Sequence, residues 1–143
     1  MAGFSLDDSR KIITAAFEKG QAMGLNPLAV AVLDAGAHLK AFERQDGASN
    51  MRFGIAHGKA NGALAMGIGS RALFKRAQEQ PFFVGALNGL AGGALVPVPG
   101  GVLVKTSDGE IIGAVGVTGD TSDNDEACAI AGIEAAGFLA DPG

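Results

Sequence analysis

The chain has 143 residues, of which 48% are apolar and 18% charged, with a formal net charge of −4; that suits one domain, spanning residues 1–143, around one continuous core. An acidic chain without tryptophan or tyrosine lacks both the cationic footprint and the stacking rings that nucleic acid requires, so nucleic acid is excluded as a partner. Anionic membrane surfaces are excluded on the same charge argument, and no uninterrupted apolar run is long enough to span a bilayer.

The first helix starts at Ser5. Ser5 and Asp8 have the spacing of a capping box. Leu6, Ile13, Ala16, Phe17 and Gly20 then recur at helical spacing and form one apolar face. Gly24 stops the helix, and Pro27 lies just beyond it. Leu28 to Leu33 reads as a short buried strand. Asp34-Ala35-Gly36 is a turn, and His38 to Arg44 alternates as the second strand of a hairpin.

Ser49 or Asn50 is positioned to cap a second helix that runs to about Met66. This helix carries Gly54, Gly58 and Gly62 along one stripe. The stripe serves either close packing or a flat ligand. Ser70 to Ala77 reads as a short basic amphipathic helix, and Pro81 to Gly93 as an irregular glycine-rich connection. Three strands follow, at about Ala94 to Val98, Gly101 to Thr106 and Glu110 to Thr118. Ser122 and Asp125 repeat the capping pattern for a last helix to about Leu139, with Ala127, Ala131, Ala135 and Phe138 on its inner face. The hairpin order predicts an α/β/α sandwich with a mainly antiparallel five-stranded sheet and helices on both faces.

Several segments resemble one family. Val30 to Gly36 followed by His38-Leu39 resembles the V-D-A-G-G-H-L hairpin of the GlcG/HbpS-like proteins. These are also called haem-degrading-domain proteins and are related to the PduO C-terminal domain. Phe42 to Ala48 resembles that family's F-x-R-M-D-G-A, and Lys59-Ala60 its A-x-x-K-A helix. Gly100-Gly101-Val102 resembles its G-G-V-P turn, with Leu103 where proline is usual. Gly109 to Gly119 resembles its G-x-x-x-G-A-I-G-V-S-G strand, and Asp125 to Ala131 the start of its last helix. The resemblance implies a profilin-like fold and a small-molecule ligand, with haem as the cofactor to test first.

The candidate site follows from the few ionisable groups beside glycine-rich backbone. Arg44 and Asp46 end the first hairpin just before a helix, a common place for binding groups. Arg44 either forks onto an acidic ligand or pairs with Asp46 or Asp34. His57 or Lys59 supplies a second polar group, although two residues apart on a helix they point to nearly opposite faces. Arg52 and Lys59, seven apart, share a face. Gly100 and Gly101 would let a ligand approach the backbone. Gly67 to Ala72 fits G-x-G-x-x-A but follows a helical segment, which a dinucleotide fingerprint does not.

Two histidines and one cysteine lack the spacing of a metal site, so no metal is assigned. Cys128 cannot form an internal disulfide, and the N-terminal MAGFSLDDSRK has no leader pattern; a cytoplasmic protein is expected. The second helix and Phe82-Phe83 leave more apolar surface than a domain this small covers, which predicts a homo-oligomer. The favoured reading is a module that binds haem or another small anionic organic ligand. The alternative is a cofactor-free isomerase, tautomerase or lyase acting on a small organic acid. In that case Arg44 would hold the carboxylate and His57 or Lys59 would act as the catalytic proton carrier.

Overall fold

A computed structural model describes residues 4–143. Helix α1 (Leu6–Ala22) begins at the expected cap: the Ser5 hydroxyl accepts from the Asp8 amide at 2.9 Å, and the Asp8 carboxylate accepts from the Ser5 amide at 3.2 Å. Gly24, at φ +69°, ends it in the left-handed region that glycine enters without a Cβ clash. The hairpin is formed by β1 (Ala29–Asp34) and β2 (Leu39–Arg44).

The middle of the chain is helical. Helix α2 spans Arg52–Met66, α3 spans Ser70–Glu79 and α4 spans Pro81–Leu90. Strands β3 (Gly101–Lys105) and β4 (Ile111–Thr118) follow, then α5 (Ser122–Ala135) and the short β5 (Leu139–Asp141). The sheet order is β2-β1-β4-β3-β5, and every neighbouring pair is antiparallel. The expected sandwich is therefore present: α1 and α5 cover one face and α2 the other. No helix among the described residues is long and apolar enough to cross a membrane.

Period-two alternation sorts the strand residues between two cores. Val30, Val32, Val102, Val104, Val115 and Val117 meet Ile12, Ile13, Cys128 and Ile133 from α1 and α5. Leu33, Leu103 and Ala114 meet Ala60 and Ala63 of α2 on the opposite face. That second face is made for close approach. Gly101 lies opposite Gly116, and Gly116 opposite Ala31. A Cβ at Gly116 would overlap the Ala56 carbonyl, and one at Gly101 the Lys59 carbonyl. The α2 backbone thus rests on a row of missing side chains.

Five local expectations are corrected. Pro81 to Gly93 is mostly helix α4, because Pro81 at its first position fixes φ and Val84 packs inward. Ala94 to Val98 is not a strand. It lies along α2, where Gly58 and Gly62 leave room: a Cβ at Gly58 would sit 2.7 Å from Val96 Cγ2, and one at Gly62 3.1 Å from Leu95 Cγ. The fifth strand is instead β5, reached after Gly137 (φ +89°) turns the chain out of α5.

The caps of two helices also differ. Met51 precedes α2 with no side-chain bond, because Asn50 is engaged by Arg44 instead. Thr121, not Ser122, caps α5, accepting from the Asn124 amide at 3.3 Å while Asp125 turns inward. The buried face of α5 is Cys128, Ala129, Gly132 and Ile133, and not the series through Ala127, Ala131 and Ala135.

Candidate functional site

The candidate residues fall into three places. The first is interior. Lys59 is only 2% exposed, and its Nζ donates to the Val117 carbonyl at 2.9 Å and to Asp125 Oδ2 at 3.1 Å. The other Asp125 oxygen accepts from the Asp120 amide at 2.9 Å. Gly100, at φ +121°, lies against both Lys59 and the Val117 carbonyl, so a side chain there would collide with the ammonium. Gly101 donates its amide to the Ser70 hydroxyl at 2.7 Å. Burial pushes Lys59 below its ordinary range and Asp125 above, while their mutual attraction pulls each back. Lys59, Gly100 and Gly101 come together as a sealed joint that ties α2 to α5 at the end of β4.

The second place is a cleft of about 380 Å³ where α1 ends beside the hairpin, lined by Gln21, Leu25, Asn26, Gln45 and Asp46 among others. Of the candidate residues only Asp46 reaches it. Asp46 makes no ion pair with Arg44, and neither does Asp34. The Asp34 Oδ1 accepts the amides of Gly36 and His38, both at 3.0 Å, and the His38 amide above all holds that carboxyl below its ordinary range. His38 sits at the hairpin corner with 82% of its side chain exposed.

The third place is the flank where α2 leaves the edge strand β2 partly uncovered. Phe42 and Arg44, opposite Ala31 and Ala29, share the α2-facing side of β2 by alternation. The Phe42 ring meets Phe53 of α2 edge-on, with centroids 4.8 Å apart. Phe53 in turn stacks on His57, with centroids 5.7 Å apart and planes 30° apart. Phe53, Gly54 and His57 lie on one outward stripe of α2, and nothing stands within 4 Å of where a Gly54 Cβ would be. The stripe is divided: Gly58 and Gly62 pack closely against Val96 and Leu95, and Gly54 faces open space.

His57 is half-buried and forms no hydrogen bond among the described residues. Arg44 is exposed and donates to Asn50 Oδ1 at 3.0 Å. Arg52 donates one guanidinium nitrogen to Thr118 Oγ1 at 2.8 Å and keeps the rest of its fork free. As the spacing implied, His57 and Lys59 face opposite ways, and Arg52 and Lys59 both reach the last residues of β4.

Two groups play no part in these places. The N-terminus of α3 is filled from within, since the Arg71 amide donates to the Pro142 carbonyl at 3.1 Å, and Gly69 touches Pro142 so closely that no side chain fits. The amides of Gly67, Ile68 and Ala72 are likewise engaged by backbone carbonyls. Burial pushes the Cys128 thiol up to about 11, which leaves it protonated and a poor nucleophile at neutral pH.

Sequence reasoning missed Phe42 as the bridge from hairpin to helix, and Asp125 as the partner of Lys59. The first was readable as the strand position facing Phe53. The second left no local signal.

Known proteins share this architecture. The chain superimposes on PduOC, crystallised as a haem complex, with a TM-score of 0.85 and 26% identity over 96% of this chain and 97% of that one. HbpS gives a TM-score of 0.80 and 27% identity over 94% and 90% of the two chains. The Klebsiella pneumoniae protein ORFY, at 22% identity and a TM-score of 0.83 over 93% and 90%, shares the fold. No curated protein sequence matches significantly. The sequence profile described as "Haem degrading protein HbpS-like" matches residues 4–134, nearly the whole chain. On that match, which covers well over half of its residues, this chain belongs to the HbpS-like haem-degrading protein family.

Proposed function

We propose that this protein binds haem, or a similarly flat anionic organic molecule, on the α2–β2 flank. The observation that carries the reading is His57: an imidazole with no internal hydrogen bond, stacked on Phe53, beside the open surface over Gly54. A porphyrin needs an apolar surface, cations for its propionates and a donor for its iron. Phe42 and Phe53 supply the first, Arg44 and the free part of Arg52 the second, and His57 the third. The residues present therefore fit the group. Bound haem would bring an iron centre that His57 is able to ligate. The haem complex of PduOC supports the same choice of ligand. Asp46 and the sealed Lys59–Gly100–Gly101 joint lie outside this surface.

The cofactor-free enzyme alternative requires His57 or Lys59 to move a proton for an acid held by Arg44. Lys59 is spent on Asp125 and Val117, and no bond joins Arg44 to His57 among the described residues. The binding reading is the better supported.

Titration with haemin, followed at the Soret band, tests it. The unaltered protein should saturate with a shifted band. His57→Ala should lose the shift that marks iron ligation, and Arg44→Ala should weaken binding by about 1.5–3 kcal/mol, the scale of a hydrogen bond to a charged group. Arg44 is exposed, so melting of Arg44→Ala should change little, and a melt of His57→Ala separates loss of its Phe53 stack from loss of iron ligation. Identical titrations for His57→Ala and the unaltered protein would move the site off this flank.

A further inference from the structure

The cleft of about 380 Å³ beside the first hairpin takes no part in the haem surface, and its walls are fixed from within. Where α1 ends, the Leu25 amide donates to the Gly20 carbonyl at 2.9 Å, and the Asn26 amide donates to Asp120 Oδ1 at 3.1 Å. On the other wall, the Ala48 amide donates to the Gln45 carbonyl at 3.1 Å and closes a β-turn with Asp46 at its corner. Gly47 turns the chain there at φ +91°, and a Cβ on it would lie 3.3 Å from Pro27 Cγ. The turn that carries Asp46 therefore rests on Pro27.

Gln45 is held at both ends. Its main-chain amide donates to the Leu28 carbonyl at 2.9 Å, and its side-chain Oε1 accepts from the Leu28 amide at 2.7 Å. An N–H only donates, so the atom that faces Leu28 is the oxygen, and the NH2 group is left to the cleft. Asp46, next in the chain, is exposed and makes no ion pair among the described residues. The rim thus sets a fixed donor beside a fixed acceptor. The carboxamides of Gln21 and Asn26 serve as either, and Leu25 and Pro27 add apolar wall.

We propose that this cleft binds a neutral polyhydroxylated molecule, a single sugar ring or a polyol of that size. The inference is independent of the haem reading. A hydroxyl both accepts and donates through one atom. A diol can accept from Gln45 through one hydroxyl, donate to Asp46 through the same or the next, and bond Asn26 or Gln21 beyond. Leu25 and Pro27 would meet the C–H face of the ring.

Other ligand classes fit less well. A carboxylate or phosphate would enter against Asp46, and no lysine or arginine lines the cleft among the described residues. An ammonium suits Asp46 but offers no acceptor to the Gln45 donor. An apolar ligand would strip water from both groups and replace none of their bonds. The volume lies at the lower end of the roughly 300–1,000 Å³ of small-molecule sites, which suits one ring.

Titration of isotope-labelled protein with D-glucose, myo-inositol and D-mannitol, followed by the backbone and side-chain amide signals in NMR, tests this. At least one of the three should give saturable millimolar shifts, confined to Gln21, Asn26, Gln45 and the turn through Ala48. n-Butylammonium and glutarate should bind more weakly. Gln45→Glu keeps an oxygen for the Leu28 amide but replaces the outward donor with an acceptor. Its melt should hold while polyol binding falls at least about tenfold, the scale of a hydrogen bond to a charged group. Asp46→Ala should weaken binding to a similar extent, and Asp46→Asn, which retains an acceptor oxygen, should recover part of the loss. Absence of saturable shifts with all three polyols overturns the proposal. So do shifts centred outside the cleft, tighter binding of n-butylammonium or glutarate, or a folded Gln45→Glu variant that binds as before. Should Gln45→Glu unfold, the exposed Asp46 variants decide, and unweakened binding by Asp46→Ala overturns the proposal.

Discussion

Lys59 shows how far one residue can be read from its neighbours. Its spacing from Arg52 and His57 gave the right faces, and both relationships hold in the structure. That its face looks inward depends on Asp125, which follows two strands later in the chain and sits on a helix of the opposite layer. Nothing local announces such a partner. The pair has a measurable role. Lys59→Met should cost about 3–5 kcal/mol in urea unfolding, because Asp125 is left buried without its cation. Adding Asp125→Leu should recover much of that loss, since removing both charges also removes the desolvation penalty. A single variant as stable as the parent would mean that the joint between α2 and α5 does not depend on this bond. His57 was recognisable from its type and from Phe53 one turn away. Its aromatic surroundings became complete only when the hairpin delivered Phe42.

Among the elements, those with strong period or a defined cap were legible. The capping box of α1, the hairpin, the basic helix α3 and strand β4 all stand where hydrophobic spacing and turn residues put them. The failures have physical causes. In α4, repeated glycines read as loop, yet Pro81 starts a helix that α3 then supports. In α5, so many positions are alanine that small shifts of the buried face leave the pattern unchanged, and the inward set became visible only through Cys128 and Ile133. β5 is three residues long and borrows its order from β3.

The glycine stripe of α2 was evident in the sequence, but not which glycine met what. This difference predicts opposite outcomes for the same kind of substitution. Gly54→Ala meets open space in a helix interior and should raise stability by up to about 1 kcal/mol. Gly116→Ala pushes a methyl into the Ala56 carbonyl and should lower it by at least about 2 kcal/mol, as overpacking does. Thermal melts of the two variants side by side decide this; equal shifts would mean that α2 does not rest on the Gly101–Gly116 row.

At the scale of the whole molecule, the α3–α4 arm is fastened to the sheet at few points. Ser70 accepts the Gly101 amide, Arg71 reaches Asp123 and Glu126 of α5, and the Arg71 amide is met by Pro142. Asp141, one residue earlier, holds Lys105 of β3 at 2.6 Å. Residues 139–143 thus clasp the outer edge of the sheet and the root of the arm together. Removing them should speed amide hydrogen exchange in α3 and β3 while leaving β1 and β2 protected. Uniform acceleration, or none, would show that the arm does not rely on this clasp.

The β1–β4 seam carries a kinetic consequence. β1 with β2, and β3 with β4, are local hairpins, each closed by a short turn. The contact between β1 and β4 joins Val32 to Val115 across most of the chain, with three helices in the intervening segment. Closing so long a loop forfeits chain entropy before any cross-strand contact compensates for it. The two hairpins therefore have time to form first, and their docking governs how fast the molecule folds. Substitutions that weaken the Val32–Val115 pairing should slow refolding, whereas those on exposed β2 should mainly leave that rate alone.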